Sequence, residues 1–450
     1  MTRYRFPDGF AWGAGTSAYQ IEGSPLADGA GMSLQHTYAH TPGNVLDGVT
    51  GDVLADHYHR WPEDVALMRD LGLGEYQFSV AWPRVLPDGT GTVNGKGIGF
   101  YDRLVDALLA AGVAPAPILH VWDLPVALHH RGGWMNRDSA EWFAAYADVV
   151  YERLGDRVPR WMTICEPLSI AGGGYIDGLL APRMRDLHSG LRVAHHVLLA
   201  HGRAVEAFRA GDATGEIGTS TGLSDIQPAS GDPADLAAAA RMNEHDNALY
   251  LDPIMRGEYP ERIVARYGEA WPEVRDGDLA TIAAPIDFLG VTYYQGQVVA
   301  AADDALTGVD ALLGVRTVPT GRPVTGIGWD INPEGLTRAL LWLKERYGDF
   351  PLVLTEFGAA FDDVVVDGAV DDRARREFLC GHLIAAHAAI RRGVDLRGAF
   401  VWSLLDTWEF WLGVTARFGI VHVDYETKRR TVKESGHWYA RVMAENGFDG

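Results

Sequence analysis

Eight short apolar runs alternate with stretches of helical spacing along this chain, with no linker between them, and that alternation narrows the folds open to it. The runs fall at residues 10–20, 74–81, 114–122, 161–166, 216–221, 286–293, 352–356 and 397–405. Apolar residues recur at helical spacing over 64–71, 97–111, 139–154, 188–210, 236–255, 333–347, 373–391 and 431–443. In 97–111 the stripe is Ile98, Tyr101, Leu104, Val105 and Leu108. Asn332 followed by Pro333 marks a helix start. Strands joined through helices pair in parallel, because the helix carries the chain back to the starting edge of the sheet. Eight such units predict an α/β fold, a single (β/α)8 barrel occupying residues 1–450 as one domain. A doubly wound sheet is the alternative, but no Gly-x-Gly-x-x-Gly follows a strand. Residues 300–330 lack a strong period and are expected to form a loop over the barrel mouth.

Two of the runs end in the same way. Leu352, Val353 and Leu354 lead to Thr355-Glu356-Phe357-Gly358, and Trp161 to Ile164 lead to Cys165-Glu166-Pro167. Burying a glutamate at a strand end is costly without a purpose. Each alone could cap the next helix or pair with an arginine. Together they suggest a carboxylate pair of the kind that cleaves glycosidic bonds. Barrel enzymes carry their chemistry at the C-terminal strand ends. Gln20, Glu22, Gln77, Trp122, Asp123, Tyr294, Trp402 and Glu409 fall there or just beyond. Indoles offer sugar rings an apolar face, and amides and carboxylates take the hydroxyls. In a chain with 14 tryptophans, Trp122 and Trp402 could instead belong to the barrel core.

The net charge of −21, spread along the chain, argues against nucleic acid or an anionic membrane as partner. The first residues lack the apolar core of a signal peptide, and no run of 18 apolar residues follows, so a cytoplasmic protein is expected. Cys165 and Cys380 are the only cysteines, too few for a disulfide framework or a cysteine zinc site. The histidine pairs 57/59, 129/130 and 195/196 form no His-Glu-x-x-His motif. Neither a metal nor an organic cofactor is expected, and the expected partner is a small glycoside.

Eight motifs in order carry a resemblance. They are Phe6-Pro7-Asp8-Gly9-Phe10-Ala11-Trp12-Gly13; Ser17-Ala18-Tyr19-Gln20-Ile21-Glu22-Gly23; Trp122-Asp123-Leu124-Pro125; Glu166-Pro167; Phe288-Leu289-Gly290-Val291-Thr292-Tyr293-Tyr294; Thr355-Glu356-Phe357-Gly358-Ala359; Trp402-Ser403-Leu404-Leu405-Asp406; and Arg417-Phe418-Gly419-Ile420-Val421-His422-Val423-Asp424. From about Phe6 to Tyr439 the chain resembles the family 1 glycoside hydrolases, the β-glucosidase family. The resemblance implies retaining hydrolysis without a cofactor. Glu356 would be the nucleophile, hydrogen-bonded by Tyr294, and Glu166 the acid/base. Glu166 would be held protonated by the charge of Glu356. Gln20, Trp122, Trp402 and Glu409 would hold the sugar hydroxyls.

The chain departs from the family pattern around that same sugar. Gln77 stands where the family has Arg, Val121 where it has His, and Cys165, Thr292 and Phe357 where it has Asn. Asp406-Thr407-Trp408-Glu409-Phe410 replaces Asp-Asn-Phe-Glu-Trp. His120 is next to Val121, but neighbours on a strand face opposite ways, so it is not expected to substitute. The resemblance places the missing His and Asn at the 3- and 2-hydroxyls, so a sugar lacking or masking the 2-hydroxyl is expected. A barrel that binds without turnover, or one that tailors a small metabolite with the same glutamates, is the alternative. Glu409 argues against a 6-phosphosugar.

Overall fold

In a computed structural model describing residues 2–302 and 308–450, the eight runs become eight parallel strands of one closed barrel. They are β1 (Ala11–Gly15), β2 (Glu75–Ser79), β3 (Ala114–His120), β4 (Arg160–Cys165), β5 (Glu216–Gly222), β6 (Phe288–Thr292), β7 (Leu352–Phe357) and β8 (Leu396–Trp402). Neighbours follow chain order, and β8 pairs with β1 to close the ring. Closure leaves no open barrel edge, so every strand is paired on both sides.

The barrel interior is filled by Ala116, Ile118, Met162, Phe288, Val353 and Phe400. The glycines of β1 follow from that filling. A Cβ on Gly13 would stand 2.3 Å from the Phe400 ring, so the aromatic takes the space a side chain there would need. Outside, helices present their apolar stripes to the strands, as Leu104, Val105 and Leu108 of Gly95–Ala110 do. Side-chain caps start several of them. Asn94, Asp186 and Asn332 accept from Lys96, Ser189 and Gly335 at the heads of their helices. The two ends of the chain meet where Arg3–Arg5 pairs antiparallel with Gly447–Asp449. No described helix is long and apolar enough to cross a membrane.

Four expectations needed correction. The first run is a strand only over Ala11–Gly15; Ala18–Ile21 is a helical turn, tied down by Ala18 N donating to Ser79 Oγ. Residues 236–255 are not one regular helix: a π-helical segment, Glu244–Ala248, separates Pro233–Asn243 from Leu249–Arg256. Residues 300–330 are not a plain loop. Gly296–Ala301, Val315–Thr317 and Asp225–Pro228 form a small sheet, with helix Gly308–Leu313 between the first two. The part of that expectation at 303–307 lies outside the described residues. The last helix starts at Glu434, because Arg430–Val432 is drawn into pairing with Val421–Val423.

An ionic network holds the segment that follows β8. Lys433, fully buried, donates to Asp406 Oδ1 at 2.7 Å and also to Asp363. Arg417 donates to Asp406 Oδ2 at 2.5 Å, and Arg375 binds Asp363 and Asp372. Burial works against ionising Asp406, yet Lys433 and Arg417 hold its carboxyl below the usual range. Lys433→Met takes the cation from between two buried carboxylates. It should lower stability by about 3–5 kcal/mol, the usual cost of stranding a buried charge. Urea unfolding checks this, and a loss under about 1 kcal/mol would show that Arg375 and Arg417 suffice.

Candidate active site

The strand ends bring the two glutamates to one cavity. β4 stops at Cys165, and Glu166 turns sharply away with φ 49°, in the left-handed region that side chains other than glycine rarely adopt. Its amide still donates to Ser220 O at 2.8 Å, which ties the turn to β5. Trp122 (φ 54°) and Phe410 (φ 50°) share this conformation, and such backbone clusters at functional sites. Glu356 sits one residue inside the end of β7, in register with Thr292 of β6. Gly358 is required just beyond it, because a Cβ there would fall 1.8 Å from Trp402 O.

The cavity has a volume of about 470 Å³. Gln20, Val121, Trp122, Cys165, Glu166, Tyr294, Glu356, Trp402, Glu409 and Phe410 all line it. Gln77 does not. It is fully buried beside Gly15, and neither atom of its amide has a partner among the described residues. Glu22 and Asp123 also turn elsewhere. Glu22 pairs with Arg84 at 2.6 Å, and Asp123 accepts from Gln35 N at 3.0 Å. His120 faces the helix layer, its ring 5.2 Å from Trp134, as strand alternation requires.

Hydrogen bonds fix each carboxyl. Glu356 accepts from Tyr294 at 2.7 Å on Oε2, and Cys165 Sγ donates to its Oε1 at 3.6 Å. Glu166 accepts from Ser169 at 2.8 Å and, on its other oxygen, from Thr292. Glu409 accepts from Gln20 Nε2 at 3.2 Å and from Thr407. Trp122 lies 4.6 Å from Phe410, ring to ring, and donates to Cys165 O. Val121 and Cys165 contribute an apolar surface continuous with the barrel filling.

No lysine or arginine is among the described lining residues. Burial therefore acts on the carboxyls with no cation to offset it. It pushes Glu166 up, against the hydroxyls of Thr292 and Ser169. It pushes Glu356 well above the carboxylate range, helped by the charge of Glu166 and opposed by Tyr294 and Cys165. Both carboxyls of the pair are thus held toward the protonated form. Glu356 faces two other carboxyls, Glu166 and Glu409, and their charge adds to the effect of burial.

Sequence reading missed the outer wall. Ser169, on the π-helical segment Ser169–Ile176, and Thr292 are the donors to Glu166; Thr292 appeared only as a departure from the pattern. Asp246, in the π-helical segment Glu244–Ala248, is pushed up to about 7 by burial and accepts from Gln297. Asp177 and Asp310 line the same side, and Trp329 stacks edge-on against Tyr294 at 5.4 Å. The only sequence signal for Asp246 is an acidic residue on a helix stripe, which ordinarily means a solvated face.

Residues 2–448 match the family model described as Glycosyl hydrolase family 1. The chain is 47% identical over 451 residues to β-glucosidase A of Thermotoga maritima, covering 100% of each. It is 45% identical over 446 residues to a 1,4-β-D-glucan glucohydrolase of Thermotoga neapolitana, covering 99% of each. The family 1 β-glucosidase of Thermotoga maritima in complex with isofagomine lactam superposes with a TM-score of 0.96 at 46% identity, over 99% of this chain and 100% of that one.

The buried Glu409 makes stability depend on pH. Burial pushes its carboxyl up to about 8, against donors from Thr407, Trp402 and Gln20. Unfolded, it titrates near about 4.3. The folded value is the higher, so the stability carried by the protonated group is full below about 4.3 and is lost as pH rises toward 8. Glu409→Gln removes that loss. Relative to the parent, the variant should gain about 1.4 kcal/mol per pH unit between those limits. Urea unfolding at pH 5 and pH 8 measures it, and a difference that ignores pH would refute it.

Proposed function

The chain belongs to glycosyl hydrolase family 1 and is a retaining β-glycosidase; on that premise we propose that Glu356 and Glu166 carry its reaction, in one domain spanning residues 1–450, on a sugar that lacks a free 2-hydroxyl. The observation behind the first part is the convergence of both carboxyls on one cavity, each held by hydroxyl or thiol donors and neither by a cation. Glu356 attacks the anomeric carbon and the bond to the leaving oxygen breaks. Glu166 gives that oxygen its proton. Water then attacks the same carbon as Glu166 takes its proton, and Glu356 is released. The pair holds one proton in two arrangements, and only the one with Glu166 protonated and Glu356 ionised reacts. Two unpaired cysteines suit a reducing compartment, which is in keeping with the cytoplasm.

Glu166→Ala should lose ~10²–10⁴-fold on glycosides with poor leaving groups, the range of general acid catalysis. Activated aryl glycosides should lose less, and added azide should be trapped as the β-glycosyl azide. A mechanism-based 2-fluoro glycoside, where accepted, should label Glu356. Equal losses for both leaving-group classes, or a label elsewhere, would reassign the residues.

The second part rests on Val121 and Cys165, which line the cavity as apolar surface, the thiol hydrogen of Cys165 being already given to Glu356. A hydroxyl buried against them loses water and gains no partner, at about 1–3 kcal/mol. A 2-deoxy or 2-O-substituted sugar avoids that cost. A 2-deoxy sugar also reaches the oxocarbenium-like state more readily, because no electron-withdrawing oxygen sits beside the anomeric carbon. Matched aryl 2-deoxy-β-glycosides should therefore exceed β-glucosides in kcat/KM after correction for spontaneous hydrolysis. The double variant Val121→His with Cys165→Asn should shift preference back toward glucoside. A parent enzyme preferring glucoside tenfold would rule this out.

A further inference from the structure

His36 and His40 stand one turn apart on helix Leu34–His40. The segment that follows returns Asp52 to the same place. Nδ1 of His36 is 3.3 Å from one Asp52 oxygen, and Nε2 of His40 is 3.0 Å from the other. One ligand atom from each residue lies within 4.8 Å of the others. In a tetrahedral site with bonds of about 2.0–2.2 Å, neighbouring ligand atoms stand about 3.3 Å apart. A small inward movement therefore completes the set.

The hydrogen bonds around the cluster are arranged as they are around metal-bound imidazoles. His40 Nδ1 lies 2.8 Å from the His36 carbonyl oxygen. That contact places the proton on Nδ1 and turns the Nε2 lone pair toward Asp52, the orientation ligating histidines take from an outer partner. A lone pair facing a carboxylate oxygen requires a cation between them, a proton or a metal. On the other side, the buried Nδ1 of His36 and Oδ1 of Asp52 face each other at 3.3 Å outside good hydrogen-bond geometry, and neither has another partner among the described residues. The two rings are 4.1 Å apart, so protonating both would set like charges together.

We propose that His36, His40 and Asp52 bind one divalent transition-metal ion of the zinc type, with its remaining position open to water. Two imidazoles and one carboxylate suit zinc and exclude a calcium or magnesium site, which takes oxygen ligands. Hydrogen bonds of neighbouring residues link the cluster to the wall of the sugar cavity. Gln35, beside His36, donates to Trp122 O at 3.2 Å. The segment leading to Asp52 accepts from Trp408 Nε1 through Val49 O at 2.8 Å, and donates from Leu46 N to Trp411 O at 2.8 Å. The metal thus clamps helix Leu34–His40 to the segment that braces Trp408, Phe410 and Trp411, and it takes no part in bond cleavage.

The full chain, stripped with chelator and dialysed against micromolar Zn²⁺, should retain one zinc per chain and melt at a higher temperature than the stripped form. His40→Asn changes a half-exposed residue and should fold as the parent does, while losing at least about tenfold in zinc affinity, the loss typical of a damaged metal shell. Co²⁺ in place of zinc should give visible absorption in the parent and none in the double variant His36→Ala with His40→Ala. Absence of stoichiometric zinc in the parent overturns the proposal. So does retention of zinc at parental level in His40→Asn or in the double variant.

Discussion

Three carboxyls buried in one cavity without a cation are the constraint on which the rest of the structure depends. Glu166, Glu356 and Glu409 could be relieved by one arginine among them, and none lines the described wall. Relief comes instead from uncharged donors: Tyr294, Cys165, Thr292, Ser169, Thr407 and Gln20. Such donors favour the ionised form without neutralising it. They must be held in place, which is what the barrel provides. Thr292 and Glu356 are register partners on adjacent strands, and Cys165 pairs with Ser220 on the next. The cations of this end of the barrel are kept elsewhere, on Lys433, Arg375 and Arg417 around Asp406 and Asp363. There they fix the backbone that leads to Glu409 rather than the charge of the site.

The eight strands were legible because a barrel strand is short, apolar and buried on both faces, so its pattern survives in one sequence. Helices 139–154, 333–347 and 373–391 were legible to the residue, having clear stripes and well-marked ends. The break in 236–255 was not, because a π-helical segment inserts a residue without changing composition. Nor was the early end of β1, which depends on Ser79 Oγ from another strand. The site residues at strand ends could be read because fold and position coincide there. Ser169 could not, since its reach to Glu166 follows from the left-handed turn at Glu166 itself. Gln77 was placed with the ligand-binding residues, yet its amide stays within the barrel beside Gly15. His36 and His40 show a helical spacing in sequence, but only the fold supplies Asp52.

The same absence of cations bears on the proton that the two glutamates share. A positive group beside Glu356 would pin the charge there and leave the proton on Glu166. Gln77, neutral and unpartnered, cannot do this. In the free protein burial holds both carboxyls up, and no described lining cation fixes the charge on either. A ligand then biases where the shared proton sits. A glycosidic oxygen set against Glu166 does so, because it accepts a hydrogen bond that only the protonated carboxyl can donate. Binding and proton placement become one event, and the reactive arrangement is populated by the substrate rather than by a fixed charge.

Charge also bears on which ligands suit the cavity. The inner wall carries Glu166, Glu356 and Glu409, and the outer wall carries Asp177, Asp246 and Asp310. Burial raises Asp177 and Asp310, and Asp310 raises Asp177 further, so the outer carboxyls already oppose one another's ionisation. An anionic sugar or leaving group would add to this repulsion in a space with no described lysine or arginine to receive it. A phosphate or uronate would have to protonate or keep its water, and either undoes part of the binding. A neutral glycoside meets indoles, amides and hydroxyls that need no counter-ion. A basic group on the leaving side would meet Asp246, which among the described residues has one side-chain hydrogen bond, from Gln297, and would lower the cost of ionising it. An acidic wall of this kind disfavours an anionic ligand whatever its pattern of hydroxyls.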